Sequence, residues 1–188
     1  MSMARKPRQS KGRRMVPHYF VFCEGETEVA YVEALRAHFR KPVHIIVRKA
    51  DSNITDAYIA RSKQEYVQTA GDRTFVLFDL DVPGMLEHLK GLKNVEVICS
   101  NPCLEVWFLL HFVDVPQELS SEECLKRLWQ VYPDYRKGKG SAAFHKELLA
   151  RMPEAMRRAS QMSKYENPST DMDELVKAIG GIKECTVY

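Results

Sequence analysis

The chain has 188 residues, of which 45% are hydrophobic, enough for one domain with a buried core. No apolar stretch approaches the roughly 20 residues that cross a bilayer, and the N-terminus lacks the apolar core of a secretion signal, so we expect a cytoplasmic protein without a membrane partner. The five cysteines form no C-x-x-C pair, which predicts free thiols and argues against zinc; they are Cys23, Cys99, Cys103, Cys124 and Cys185.

Residues 1–15 are predicted to form a disordered basic tail. The formal net charge of the whole chain is +3, whereas the 22 basic and 25 acidic residues outside the tail give −3. Such an arm suits a polyanion such as nucleic acid, and a solubilising leader fits the composition equally well. The tail contains six basic and no acidic residues: Arg5, Lys6, Arg8, Lys11, Arg13 and Arg14.

Four short apolar runs, separated by segments with helical spacing, follow the tail. This alternation predicts a parallel four-stranded sheet flanked by helices over residues 16–112. The predicted strands are His18–Cys23, Val43–Val47, Thr74–Phe78 and Val95–Cys99, and the predicted helices are Thr27–Phe39, Ile54–Ala70 and Met85–Leu89.

The pattern beyond Pro102 is helical throughout. We therefore expect residues 113–188 to form a C-terminal helical extension that packs on the α/β core. The predicted helices, the first of which still belongs to the core, are Cys103–Phe112, Ser121–Tyr132, Ala142–Met162 and Thr170–Ile179.

Acidic and polar residues follow three of the predicted strands. Glu24 follows the first strand, Asp79 and Asp81 follow the third, and Ser100 with Asn101 follows the fourth. Because parallel strands end at one edge of a sheet, we expect these residues to face one crevice. Clustered carboxylates repel one another unless a cation lies between them, so the pattern predicts a Mg²⁺ site.

Simpler interpretations exist for each of these residues. The run EGETE from Glu24 to Glu28 also fits acidic residues at a helix N-terminus, and D-x-D alone fits a solvated loop. Helix capping explains Glu24 less well, because Glu24 lies on the turn itself, next to Gly25, which lets the backbone approach another group closely. Glu105 lies among apolar residues, so we expect it to meet a cation or a metal, whereas His111 fits a packing role and Ser100 also fits a helix cap.

Five blocks of the sequence resemble a known family. FVFCEGETEVAYV and TFVLFDLDV look like a Toprim catalytic core. The blocks SNPCLEVWFLLHF, YPDYRKGKG and ENPSTDMDELV look like the further signatures of RloB-like proteins, which are bacterial Toprim proteins of restriction and anti-phage loci, related to OLD-type nucleases.

The resemblance implies a metal-dependent nuclease. It implies that Glu24, Asp79 and Asp81 are catalytic, that the same three residues and Glu28 bind metal, and that Mg²⁺ is the cofactor, with Mn²⁺ as a substitute. It also implies that DNA or RNA is the partner and that a partner ATPase controls some relatives. After Asp81 the chain has Val82, Pro83 and Gly84, at positions where the family often has acidic or polar residues. This departure argues against a third acidic ligand from that loop.

A glycine-rich loop supplies basic and aromatic candidates for substrate contacts. Arg136, Lys137 and Lys139, together with Tyr135, could clamp a phosphate and a base, although a solvated loop fits the charge equally well. The residues assigned to the substrate or to support of the site are Ser100, Asn101, Glu105, Tyr135 and Lys137.

Two other functions compete with the nuclease. FDLDV also resembles the nucleophile motif of haloacid-dehalogenase-like phosphatases, in which Asp79 would be phosphorylated and Asp81 would move protons. That family needs a later acidic pair, for which Asp171 and Asp173 are the candidates, although they fit helix-capping charges better. The second competitor is a Toprim nucleic-acid-binding or scaffold protein without catalysis.

Overall fold

One mixed sheet organises the computed structural model, which describes residues 15–50, 52–138 and 140–180. Across the described part of the sheet the strand order is β2-β1-β3-β4-β5; the first four strands are parallel, and β5 is antiparallel to β4. The strands are β1 (His18–Cys23), β2 (His44–Lys49), β3 (Arg73–Asp79), β4 (Glu96–Asn101) and β5 (Ser169–Thr170).

Helices cover both faces of the sheet, because alternate residues of each central strand enter two different cores. In β1, Tyr19 and Val21 face the larger core, while Phe20 and Phe22 face the smaller one. Burial on both faces explains why these strands are apolar throughout. The helices are α1 (Glu26–Phe39), α2 (Asp56–Lys63), α3 (Met85–Lys90), α4 (Glu105–Leu110), α5 (Ser121–Val131), α6 (Ala142–Ala159) and α7 (Met172–Gly180).

The α/β class is confirmed, but the prediction of four strands is wrong. Ser169 and Thr170, predicted to begin a helix, form the fifth strand instead. The Oγ atoms of Ser100 and Thr170 are 2.8 Å apart, and the Asp171 N–H donates to the Cys99 carbonyl at 2.8 Å. These contacts cover the edge of β4, and they join residues about seventy positions apart, beyond the reach of local patterns.

The helix predicted over residues 54–70 ends earlier, at Lys63. The chain beyond it is held by Asp72, whose carboxylate accepts hydrogen bonds from the Thr69 N–H at 3.0 Å and from the His18 N–H at 2.8 Å. Because the Asp72 carboxylate bonds these backbone N–H groups, the chain forms a tight turn before β3 in place of the last predicted helical turns.

The later helices share a core with the first part of the chain. Apolar residues of α5, α6 and α7 belong to the same buried cluster as those of α1 and α4. The helices after residue 112 therefore pack against the helices that flank the sheet. The basic tail, except for Met15, and the C-terminal end after Gly180 lie outside the described residues. Lys139 also lies outside the residues that the structure describes.

The described cysteines agree with the sequence prediction. Cys23, Cys99, Cys103 and Cys124 are buried and free, and Cys185 lies outside the described residues. None of the helices within the described ranges combines the length and the apolar character needed to cross a bilayer.

Candidate active site

Glu24 and Asp79 meet at the carboxyl edge of the sheet because β1 and β3 are neighbours. Cys23 pairs with Leu77, and the Glu24 N–H donates to the Leu77 carbonyl at 3.1 Å. The Glu24 side chain then turns back over β3, where its Oε2 accepts the Asp79 N–H at 3.2 Å. Two residues that are 55 positions apart in sequence are thus joined directly.

The acidic residues predicted from the sequence line one cavity of about 360 Å³. Asp79 is partly buried, and Asp81 is exposed. Glu24, Glu28, Asp79 and Asp81 are therefore brought together as expected. The complete lining is Glu24, Gly25, Glu26, Thr27, Glu28, Asp79, Asp81, Lys137 and Gly138.

Asp79 is held in the cavity by the backbone that leads into α4. Its Oδ1 accepts the Leu104 N–H at 2.8 Å. Burial raises the pKa of Asp79 well above its ordinary value, and the charges of Glu28, Glu105 and Glu24 raise it further against the opposing effect of Lys137. The site therefore holds a carboxylate whose negative charge is poorly compensated.

Glu24, which is half-buried, and Glu28, which is buried, also have raised pKa values. Burial raises the pKa of Glu24 despite the Asp79 N–H, and the charge of Asp81 adds to the rise. Burial likewise raises the pKa of Glu28, with contributions from Glu105 and Glu24. Each of these groups would be stabilised as an anion by a nearby cation.

Glu105 is the deepest acidic residue of the site, with 1% of its surface exposed. Its Oε1 accepts the Tyr135 hydroxyl at 2.8 Å and lies 3.9 Å from the Lys137 Nζ. Burial and the charge of Glu105 raise the pKa of Tyr135, so the phenol remains a donor. The expectation that Glu105 meets a cation is thus met by Lys137.

Lys137 brings positive charge to the cavity from a different part of the chain. Burial lowers its pKa, but attraction to Glu105, Asp79 and Glu28 outweighs this effect and raises the pKa above its ordinary value. The next residue, Gly138, donates its N–H to the Thr27 Oγ1 at 2.9 Å. This last contact, which the sequence did not indicate, ties the loop to the start of α1.

A family model described as RloB-like protein matches residues 19–179. The chain belongs to the RloB-like family. The match includes both strand ends that carry the acidic residues, α4 with Glu105, and the loop with Lys137. No curated protein and no solved structure matches the chain.

The donor chemistry of this RloB-like cavity fits a hard divalent cation, because carboxylate oxygens are the preferred ligands of Mg²⁺. In the described ranges, however, no group of three or more His, Cys, Asp or Glu side chains already has the arrangement of a metal site. The carboxylates thus share a cavity without converging on a common point, so metal binding would require the side chains around Asp79 to move.

Ser100 and Asn101 lie outside the cavity of the RloB-like chain. Ser100 is fully buried in β4 and bonds Thr170, so it does not cap a helix. Asn101 donates its Nδ2 to the Tyr165 carbonyl at 2.9 Å. Both side chains thus bond the segment around β5, although the backbone of Ser100 pairs with Asp79 in the sheet.

Asp171 and Asp173, the acidic pair that a phosphatase would need, also lie outside the cavity. Asp171 is buried, 3.5 Å from the Lys164 Nζ, and Asp173 lies in the first turn of α7 and pairs with Lys177 at 2.8 Å. His111 is buried, and its Nδ1 lies 2.8 Å from the Trp107 carbonyl. The packing role expected for His111 agrees with this environment, in which burial lowers its pKa to about 4.

Gly25 leaves room for the Glu28 carboxylate, since a Cβ atom at position 25 would lie 2.7 Å from the Glu28 Oε2. A Gly25→Ala variant should fold, because a flexible side-chain end can move aside, but it should displace that carboxylate. For the nuclease activity that the sequence predicts, we expect about 10- to 100-fold slower cleavage, the cost of a small misplacement in an active site. Cleavage kinetics measure the loss of activity, and thermal unfolding shows whether the variant folds. A fully active variant would show that the contact between Gly25 and the Glu28 carboxylate is not needed for the reaction.

Proposed function

We propose that this RloB-like protein is a metal-dependent nuclease of Toprim type that hydrolyses phosphodiester bonds in DNA or RNA. The observation that carries the proposal is the acidic cavity: Glu24, Glu28, Asp79 and Asp81 line it together, and Lys137 is its basic lining residue. A protein retains such an excess of partly buried negative charge at a cost in stability, and functional sites are where such costs are usual.

Magnesium is the proposed cofactor, with Mn²⁺ as a substitute. Asp79 and Asp81 would bind it, and Glu24 and Glu28 are the further candidate ligands. When bound, the cation would polarise the phosphate ester and offset negative charge at the leaving oxygen.

Each side chain of the cavity has a separate proposed task. Glu24 Oε2 is occupied by the Asp79 N–H, which leaves Oε1 to accept or return a proton. Lys137 remains protonated and would hold the negative charge of the substrate phosphate. The Leu104 N–H keeps Asp79 in one orientation, so this carboxylate is positioned before the substrate arrives.

The family resemblance also supports a role in bacterial anti-phage or restriction-associated defence, with a partner ATPase that controls the nuclease. The alternatives are a Toprim protein that binds nucleic acid without cleaving it and a phosphatase that uses Asp79 and Asp81. The positions of Asp171 and Asp173 outside the cavity weigh against the phosphatase.

The proposal is tested by cleavage of labelled DNA and RNA with Mg²⁺ or Mn²⁺, with EDTA as the metal-free control. Wild type should cleave, and Glu24→Gln should be at least about 10²-fold slower because it cannot accept the proton. Glu33→Gln is the matched control, since Glu33 lies further along α1 and pairs with Arg36. Equal binding without cleavage by any of the proteins would favour the binding module, and rapid hydrolysis of a small phosphoester would favour the phosphatase.

A further inference from the structure

Trp129 presents an exposed indole beside the loop that carries Lys137. It lies in α5 and is 45% exposed, whereas the other tryptophan, Trp107, is fully buried. The ring is fixed in place, because its Nε1 donates to the Tyr135 carbonyl at 3.1 Å. An indole that is both exposed and fixed loses little conformational entropy when a flat ligand stacks on it.

A cation is held next to this indole. The same Tyr135 carbonyl accepts a hydrogen bond from the Arg136 Nη1 at 2.8 Å, and that nitrogen also donates to the Pro133 carbonyl at 2.9 Å. Both acceptors are uncharged, and no carboxylate in the described ranges forms an ion pair with Arg136. The indole and the guanidinium thus donate to the same carbonyl, and an aromatic ring combined with a cation is typical of sites that bind a nucleotide base and its phosphate.

The connection between Trp129 and the acidic cavity is short. Tyr135, whose carbonyl holds the indole, donates its own hydroxyl to Glu105. Lys137, which lines the cavity, follows two residues later, a separation of at most about 7.6 Å between Cα atoms. The indole is therefore fastened to the same short loop that brings Lys137 to the cavity.

We propose that Trp129 is a stacking platform for an unpaired base and that the substrate of the cavity is therefore a single strand, a loop or a strand end. This inference rests on the proposed function and adds the substrate class. Within a duplex both faces of each base are covered by neighbouring bases, whereas an unpaired base offers a free face to the indole. The basic residues on the same loop favour a polyanion over an apolar protein surface as the ligand.

Binding of labelled oligonucleotides in EDTA tests the platform without any cleavage. Trp129→Ala should weaken the binding of unpaired DNA or RNA by about 5- to 100-fold, the range found when stacked aromatic residues are removed. It should leave the weaker binding of blunt duplexes unchanged. Trp129→Phe should retain most of the affinity because it keeps a ring, and Val67→Ala, an exposed apolar residue on the loop after α2, should have no effect. Comparing DNA with RNA identifies the sugar that is preferred.

Intrinsic fluorescence gives an independent readout. Unlabelled single strands should quench Trp129, and Trp129→Phe should lose that response because Trp107 is buried. Equal affinity of wild type and Trp129→Ala for unpaired strands would overturn the platform, even if the protein cleaves nucleic acid. A change in self-association with unchanged strand binding would also overturn it, in favour of a contact between copies of the chain. If binding depends on Trp129 but no metal supports cleavage, the result would support the stacking platform and contradict the proposed nuclease function.

Discussion

An Asp79→Asn variant is expected to lose phosphodiester cleavage by about 10³-fold or more, the scale on which removal of a central electrostatic group slows an enzyme. The same variant should be at least as stable as wild type in the absence of divalent metal. The two effects have opposite signs because Asp79 is useful to the reaction and costly to the fold.

The structure gives the reason for both effects. Asparagine has the shape of aspartate and retains an oxygen for the Leu104 N–H, so the backbone hydrogen bond at 2.8 Å can persist. The substitution removes a buried negative charge that Glu28, Glu105 and Glu24 repel. It also removes an anionic ligand for the proposed Mg²⁺.

Cleavage kinetics with Mg²⁺ and chemical unfolding in EDTA measure the two quantities on the same preparations. Asp114→Asn is the matched control, because Asp114 is exposed and pairs with Arg158 at 2.7 Å away from the cavity. Undiminished cleavage by Asp79→Asn would remove this carboxylate from the mechanism. Loss of activity together with a loss of stability would assign it a structural role.

Divalent cations are expected to stabilise the wild-type protein strongly. A ligand at 100 times its dissociation constant adds about 2.7 kcal/mol to the free energy of unfolding, which corresponds to about 5–10 °C in Tm for a chain of this size. Mg²⁺ and Mn²⁺ should produce this gain, and Asp79→Asn should lose most of it. KCl at the same ionic strength is the control for screening of surface charge.

The dependence on pH follows from the raised pKa values of Glu24, Glu28 and Asp79. In the metal-free protein these groups bind more protons when folded than when unfolded, so their contribution to stability is lost as pH rises through the folded-state pKa values. The excess stability of Asp79→Asn over wild type should therefore grow with pH in EDTA. Saturating Mg²⁺ should abolish the excess, because the cation replaces the protons.

Calorimetry provides the direct measurement of that exchange. Titration of Mg²⁺ in two buffers with different ionisation enthalpies should show that protons are released on binding, and the number released should fall as the pH rises. A heat that does not depend on the buffer, together with an unchanged Tm, would show that the raised pKa values do not serve a metal site.

Glu24, Asp79 and Asp81 were predictable as neighbours because their positions follow from strand patterns alone. The runs HYFVFC and TFVLF are apolar enough to be buried strands, and buried parallel strands end at one edge of a sheet. For Glu28 the residues alone favoured helix capping, and only the family resemblance assigned it to the metal. Local sequence was sufficient to place an acidic residue in the site when that residue lies at the end of a strand or just after it.

Glu105 and Lys137 were harder to place because their neighbours come from distant segments. The sequence indicated that a carboxylate in an apolar helix needs a cation. It did not identify Tyr135 and Lys137 as the residues that contact Glu105. The hydrogen bond between Thr27 and Gly138 joins residues 111 positions apart. No periodicity or short motif encodes such a contact.

Local pattern also misassigned β5. Ser169 and Thr170 precede acidic residues and a helical pattern, so they resemble a helix start, yet they pair with the edge of β4. The unpaired backbone groups of that edge outweigh the local preference of two residues. Ser100, which the motif placed near the acidic residues, is consequently used to hold this strand.

The sequence by itself determined the α/β class, the order of the strands along the chain and the set of acidic residues at their ends, because periodicity and strand-end chemistry are properties of short segments. Only the tertiary structure decided how these segments meet. It placed Lys137 beside Glu105 and fixed the exposed Trp129 next to that loop. Burial, repulsion between carboxylates and long-range hydrogen bonds depend on distances in space, and these distances are set by packing of the whole chain.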